Sequence, residues 1–155
     1  MAGFGKKTPL LREGDVNQVR AITAPFIERL LKYFEPERKG VAIFVRTADF
    51  TVNWTSRQFR LLPPEKREKY VRVAEAKMET AWYHKKDTAM VRASEFRPGQ
   101  THWPGGVYRD GIAVGVSGAL PYLDYLIATI VVTIIKHMTM LGLLSLAKEV
   151  KDFIQ

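Results

Sequence analysis

The segment 112–118 alternates branched with small residues, and this pattern restricts the possible folds more than any other part of the chain. Successive side chains of a strand point to opposite faces, so the segment predicts a strand with one bulky face and one small face. The bulky face carries Ile112, Val114 and Val116, and the small face carries Ala113, Gly115 and Ser117. A face this small lets another backbone or a ligand approach closely. We therefore expect this strand in a sheet that is covered by helices.

The order of the remaining elements predicts an α+β domain with an antiparallel sheet. Residues 41–45 form an apolar run that is typical of a central strand, and residues 50–54 alternate apolar with polar side chains. The short connection between them predicts a β-hairpin. Asp110-Gly111 predicts a second turn, directly before the strand at 112–117. Helical segments follow each pair of strands, which is not the alternation of a parallel sheet, so helices packed on an antiparallel sheet are favoured.

Two helices are predicted in the first half of the chain. The first has Asp15 as its N-cap and is expected to kink near Pro25. Its predicted core stripe contains Val16, Val19, Ile22, Phe26, Leu30 and Phe34. The second is expected from about Pro64 to about His84, with its buried face at Val71, Ala74, Met78 and Ala81. Residues 88–93 fit either a strand or a loop.

The C-terminal part is strongly apolar. A helix is expected from Pro121 to about Met138, followed by a break at Gly142 and a short last helix. A membrane span is disfavoured because Lys136 and His137 interrupt the apolar run. The last helix has more apolar surface than it can bury within one subunit, so we expect it in an interface between subunits; the residues concerned are Leu141, Leu143, Leu144 and Leu146.

A single domain is expected from the length of 155 residues and the hydrophobic fraction of 46%. We divide the chain into a flexible N-terminal arm (1–14), the α+β domain (15–138) and a C-terminal helical extension (139–155). The chain contains no cysteine, which excludes disulfides and thiolate chemistry. No apolar targeting segment opens the sequence, so a cytoplasmic location is expected.

The net charge of +8 indicates affinity for anions. Residues 57–86 contain nine Lys or Arg and four Asp or Glu, so the excess concentrates on the second predicted helix. A solvated helix face accounts for such an excess. A nucleic-acid-binding surface is the alternative, but no motif of that kind is present, and nucleic acid is disfavoured as a partner.

The segment 105–118 resembles the signature of the GlcG/HbpS-like family, also called the haem-degrading-domain family. The matching features are the pair Gly105-Gly106, the turn Asp110-Gly111 and the strand end Gly115-Val116-Ser117-Gly118. The resemblance implies a profilin-like or PAS-like fold and assembly into homo-oligomers. It also implies that haem or a related tetrapyrrole is a candidate ligand, since some members bind one and some act as sensors or accessory proteins.

A haem site, if present, is expected near the loop 100–106 and the adjoining strand. His102 is the candidate axial ligand and metal-binding residue, and the adjacent Trp103 is the candidate residue to stack on the haem. Room for the ligand is expected beside Gly115 and Ser117, and Arg109, with Arg97, is expected to pair with propionates. The alternative is that His102 is an ordinary exposed loop residue. His84 and His137 are interpreted as a helix-end residue and a surface residue.

No complete catalytic site is visible, so an enzyme is the least supported class. Ser117 lies in Gly-Val-Ser-Gly and not in the Gly-x-Ser-x-Gly pattern of a nucleophile elbow. The sequence favours a small-molecule-binding or accessory domain, with haem as the candidate cofactor, in a homo-oligomer. An oligomeric scaffold protein without a cofactor is the main alternative.

Overall fold

The computed structural model describes residues 12–37 and 40–154, without the side chains of residue 13 and residues 142–154. Within this part the chain forms three long helices and a sheet of four strands. The elements are α1 (Glu13–Phe34), β1 (Ala42–Arg46), β2 (Thr51–Thr55), α2 (Pro64–His84), β3 (Gly106–Arg109), β4 (Ile112–Ser117) and α3 (Pro121–Ile154). Most of the predicted N-terminal arm, residues 1–11, lies outside the described residues.

The sheet has the order β2-β1-β4-β3, and each neighbouring pair is antiparallel. The predicted α+β architecture with an antiparallel sheet is therefore confirmed. β1 lies in the interior of the sheet, where Phe44 faces Gly115 in the register with β4. Asp110 and Gly111 both have positive φ values, 47° and 87°, as a two-residue hairpin turn between β3 and β4 requires.

Helices cover both faces of the sheet, as expected. The face of β4 that carries Val114 and Val116 packs against α1 and α3 in the larger core. The opposite face packs against α2, where Ala74, Met78 and Ala81 are buried with Ala113 of β4. The predicted second helix is confirmed, with its ends at Pro64 and His84. Residues 88–95 contain two short 3-10 turns and no strand.

The predicted core stripe of α1 is wrong in its second half. Ile22, Phe26 and Phe34 are exposed, and the buried stripe continues instead through Thr23, Ile27 and Leu31. A polar residue fits this stripe because the Thr23 hydroxyl donates a hydrogen bond to the Val19 carbonyl at 2.8 Å. The sequence pattern favoured the more hydrophobic of two adjacent stripes, whereas packing selected the one with smaller residues.

The start of α1 also differs from the prediction. The N-cap is Arg12, so Glu13 and Gly14 belong to the helix and not to the arm. Asp15 lies in the first turn, and its carboxylate accepts a hydrogen bond from the Arg12 backbone N–H at 2.9 Å. A carboxylate at this position stabilises the helix N-terminus from inside the first turn.

The predicted helix break at Gly142 is wrong, because α3 continues as one helix from Pro121 to Ile154. Glycine lowers helix stability without ending a helix, and an apolar pattern on both sides of it overrides this cost. The interface predicted at Leu143, Leu144 and Leu146 concerns side chains outside the described ones. The segment Pro121–Leu141 is long and apolar enough to cross a membrane, but a core helix passes the same test.

A buried ion pair joins α2 to the start of α3. Lys77 Nζ lies 3.0 Å from Asp124 Oδ2 and donates a second hydrogen bond to the Val116 carbonyl at 2.8 Å. Asp124 Oδ1 accepts from the Ala119 backbone N–H at 3.0 Å. Burial raises the pKa of the Asp124 carboxyl to about 6, and the charge and hydrogen bond of Lys77 oppose this rise only in part. Burial likewise lowers the pKa of Lys77. The pair is therefore sensitive to loss of either partner.

The substitution Gly115→Ala is expected to destabilise the protein, because a Cβ at this position would collide with the Ala74 carbonyl and the Met78 backbone nitrogen of α2. Overpacking of this kind costs about 1–3 kcal/mol, and here rigid helix backbone cannot move aside. Thermal unfolding measures the effect. Gly14→Ala is the matched control, since nothing lies within 4 Å of its added Cβ, and it is expected to stabilise by roughly 0.4–1 kcal/mol. An unchanged melting temperature for Gly115→Ala would contradict the packing of β4 against α2.

The substitution Lys77→Met is expected to cost about 3–5 kcal/mol, because it leaves a buried carboxylate without its counter-ion. Removing the positive charge also raises the Asp124 pKa further. A carboxyl with a raised folded pKa contributes stability below its unfolded value of 3.8, and this contribution is lost as the pH rises through the folded pKa. The loss of stability relative to wild type should therefore be larger at about pH 8 than at about pH 5 in denaturant titrations. The double substitution Lys77→Met with Asp124→Asn should recover part of the loss, and no recovery would contradict the ion-pair explanation.

Candidate functional site

The loop between α2 and β3 is fixed at several points to its surroundings. Thr88 is the main anchor: its hydroxyl donates to the Trp103 carbonyl at 2.8 Å and accepts from the Gly106 backbone N–H at 3.2 Å. Thr101 N–H donates to the Thr80 hydroxyl of α2 at 3.2 Å. The Asp87 carboxylate accepts from the Tyr108 N–H at 3.1 Å. The backbone that carries His102 is therefore held in a defined position.

Five rings from α2 and this loop form a continuous surface group, which we call the aromatic cluster: Tyr83, His84, Phe96, His102 and Trp103. Phe96 lies between the two histidines, with its ring centroid 6.3 Å from that of His84 and 6.4 Å from that of His102. Both contacts are edge-to-face, an arrangement favoured by the charge distribution of aromatic rings. The cluster thus brings two histidines to one apolar surface.

His102 and Trp103 are stacked on each other at the outer end of the cluster. Their ring centroids are 5.1 Å apart and their planes differ by 24°. Both residues are exposed, and 53% of Trp103 is accessible to solvent. The ring of His102 forms no hydrogen bond with any described backbone group or side chain. Its imidazole nitrogens are therefore available to a ligand, and the indole restricts the orientation of the ring.

His84 differs from His102 because its ring is already engaged. It is the last residue of α2, and its Nε2 lies 2.7 Å from Gln100 Oε1. The same amide oxygen accepts from the Arg97 backbone N–H at 3.0 Å. The Arg97 guanidinium lies 4.8 Å above the centre of the Tyr83 ring, so a positive charge borders the cluster. The sequence predicted a helix-end role for His84 and made it the second candidate haem ligand after His102.

Arg109 does not point to the cluster. Its guanidinium binds both carboxylate oxygens of Asp87, and the Tyr125 hydroxyl donates to the same carboxylate at 3.0 Å. Burial alone would raise the pKa of Asp87, but the hydrogen bonds from Arg109, Tyr108 and Tyr125 hold it below its usual value. Arg109 therefore has a structural partner, and the expectation that it pairs with a propionate lacks geometric support.

Gly115 and Ser117 are buried in β4 beneath α2 and not beside an open site. The close approach predicted for this small face occurs, but the approaching backbone is that of α2. Gly115 pairs with Gly106, the residue at which the loop enters β3, so the two parts of the predicted site adjoin in the sheet. The space beside Gly115 is filled by helix backbone. Of the five residues predicted to form the site, the structure brings together His102 and Trp103.

His137 lies on the exposed side of α3, next to Lys136, as predicted. Lys136 Nζ forms an ion pair with Asp110 Oδ2 at 2.6 Å, which links α3 to the turn between β3 and β4. Among the described residues, no group of three or more His, Asp or Glu is arranged to hold a metal ion.

Sequence reasoning missed Tyr83, Phe96 and Gln100. These residues lie on the last turn of α2 and in the loop, and their contacts depend on how the loop folds back. No fixed spacing joins them, so periodicity gives no signal. The concentration of aromatic residues and histidines in 82–103 is the feature that could have indicated the cluster.

The chain matches no family model, and no curated protein matches its sequence. Solved structures share its fold, including these two. A complex of PduOC with haem superposes with a TM-score of 0.56 at 20% identity, covering 79% of this chain and 93% of the other. The Klebsiella pneumoniae protein ORFY, of family DUF336, superposes with a TM-score of 0.54 at 19% identity, covering 79% and 88%. The chain therefore has the fold of a DUF336 protein, and the predicted resemblance to the GlcG/HbpS-like family is confirmed at the level of the fold.

Proposed function

We propose that this chain is a small-molecule-binding domain of the GlcG/HbpS-like type, and that it binds haem or a related tetrapyrrole at the aromatic cluster. The observation that carries the proposal is the exposed imidazole of His102, which is stacked on Trp103 and has no hydrogen-bonded partner among the described residues. A neutral imidazole nitrogen is the usual protein ligand of haem iron. His102 is therefore the proposed axial ligand.

The geometry of the stacked pair fits this role in a different way from that expected from the sequence. Trp103 is stacked on the imidazole of His102, so one face of the indole is already occupied by that ring. Its role would be to restrict the orientation of the imidazole, as partners of metal-binding histidines do.

The surroundings of His102 provide the other contacts that a haem needs. Phe96 contacts His102 edge-on and gives an apolar surface for the macrocycle. Arg97 borders the same cluster and takes the place of Arg109 as the proposed partner of a propionate, because Arg109 is bound to Asp87. A bound haem would supply a redox-active iron. The PduOC structure, which contains haem on the same fold, supports this class of ligand.

The proposal includes assembly into a homo-oligomer. Large apolar side chains are exposed on adjacent α1 and α3 and at the residue directly before α3, outside the core: Ile22, Phe26, Tyr33, Phe34, Leu120, Tyr122 and Leu126. The Phe34 and Tyr122 rings contact each other across the two helices, with centroids 6.5 Å apart. Contiguous apolar surface of this kind usually marks a protein interface. The oligomer without a cofactor remains the alternative function if no tetrapyrrole binds.

Titration with hemin tests the ligand. The wild-type protein is expected to give a saturable Soret shift at about one haem per chain, with His102 as an axial ligand. His102→Ala should weaken binding by at least the roughly 10–100-fold that loss of an outer-shell partner costs at metal sites. His137→Ala is the matched control, since it removes another exposed histidine, which lies on α3 and outside the aromatic cluster. If the shift survives in His102→Ala and disappears in His84→Ala, the axial ligand is His84 and the proposed assignment is wrong. If the wild-type protein gives no Soret shift, the alternative of an oligomeric scaffold protein without a cofactor is favoured.

Light scattering tests the assembly. The wild-type chain is expected to be larger than a monomer, and Phe26→Asp with Tyr122→Asp should shift it toward the monomer, because charged side chains oppose burial of the exposed face. Arg72→Asp, which changes charge on the exposed side of α2, serves as the control and should leave the mass unchanged. A monomeric wild-type protein would overturn the proposed oligomer.

A further inference from the structure

We propose that the groove between α1 and the end of β2 is a second binding site, for a small organic acid. The groove has a volume of about 230 Å³. Its apolar lining comes from Ala24, which is exposed, and from Trp54 and Ile27, of which 8% and 2% stay accessible at the floor. Arg20 and Arg57 also line it, one from α1 and one from the 3-10 turn that follows β2. The lining therefore combines apolar side chains with two arginines.

The two arginines are available to a ligand. Both are exposed, and within residues 12–37 and 40–154 no ion pair is recorded for either side chain. The acidic residue in the groove, Glu28, is already engaged, because its Oε1 accepts the Arg57 backbone N–H at 2.9 Å. This hydrogen bond fixes the turn against α1 and leaves the Arg57 guanidinium free. The two guanidinium charges exceed the single carboxylate charge, so the groove favours an anion.

The shape of the groove indicates which anion. Arginine binds carboxylates and phosphates through paired hydrogen bonds. An inorganic anion would leave the apolar lining at Ala24 and Trp54 without a contact, whereas the apolar body of an organic acid would cover it. The volume lies below the roughly 300–1,000 Å³ of pockets that hold drug-sized ligands, so the ligand is small. A monocarboxylate with a compact apolar body, such as benzoate, fits these constraints.

This site is independent of the proposed haem site. The order β2-β1-β4-β3 places β2 at one edge of the sheet, whereas the loop that carries His102 enters β3 at the other edge. The two sites share no residue. The inference therefore goes beyond the proposed tetrapyrrole binding, and either site can exist without the other.

Calorimetric titration of the full chain with benzoate tests the site. Saturable binding at one site per chain is expected, together with a shift of the Trp54 indole resonance in an NMR spectrum. Arg20→Gln and Arg57→Gln should each weaken benzoate binding by about tenfold, because each removes a charge-assisted hydrogen bond. Arg60→Gln is the matched control: it removes an exposed arginine from the same 3-10 turn that does not line the groove. Its affinity for benzoate should equal that of the wild type.

Three results would overturn the proposal. The first is the absence of saturable benzoate binding to the wild-type protein. The second is unchanged binding in both Arg20→Gln and Arg57→Gln, which would place the ligand elsewhere. The third is a control ligand that binds as well as benzoate. Inorganic phosphate binding at least as tightly would remove the role of the apolar lining, and the uncharged benzamide binding equally well would remove the role of the charge. All three variants change exposed side chains, and their melting temperatures establish that they are folded.

Discussion

The ion pair between Lys77 and Asp124 connects more of this structure than any other single interaction. Lys77 comes from the middle of α2, Asp124 from the first turn of α3, and the Val116 carbonyl that Lys77 also binds is near the end of β4. The loop passes directly over the pair at Gly105, where an added Cβ would lie 2.9 Å from Lys77 Nζ and 3.0 Å from the Asp124 side chain. The entry of the loop into β3, and with it the position of the aromatic cluster, depends on this contact.

Burial of two opposite charges is costly, and the surroundings offset that cost with further hydrogen bonds. Asp124 accepts the Ala119 N–H, and the neighbouring Leu120 N–H donates to both carboxylate oxygens of Glu35 at 3.1 and 2.9 Å. The backbone N–H groups of Ala119 and Leu120, directly before α3, are thus satisfied by two buried carboxylates. The same arrangement ties the end of α1 to α3, so the polar network joins all three long helices.

The sequence predicted those parts of the fold that follow from short-range patterns. The hairpins, the two faces of β4 and the bounds of α2 are examples, because alternation, turn residues and a proline at the helix start each have a local cause. The sequence-based prediction was wrong where two local patterns competed. In α1 the stripe with Ile22 and Phe26 is the more hydrophobic, but contacts with α3 and β2 decide which stripe is buried. A lysine at position 77 also gave no indication that its partner lies 47 residues further along the chain.

Within the candidate site, only the pairing of His102 with Trp103 could be predicted from the sequence. His102 and Trp103 are adjacent in sequence, so their stacking follows from one short loop. The approach of His84 and Phe96 requires the loop to fold back on α2, which no spacing encodes. The prediction that Arg109 pairs with a propionate rested on its charge alone. In the structure its guanidinium binds Asp87, which lies 22 residues earlier in the chain.

The anchoring of the loop by Asp87 and Thr88 has a consequence for how the sheet meets other chains. The backbone N–H groups of Gly106 and Tyr108 point out from β3, the last strand of the sheet, and both donate to these two side chains. A strand from another molecule needs such groups as free donors in order to pair with an edge. Side chains of the same protein already occupy them here. This edge is therefore protected against the strand-to-strand pairing that leads to aggregation, and growth of the sheet by a further strand would have to start at the opposite edge, along β2.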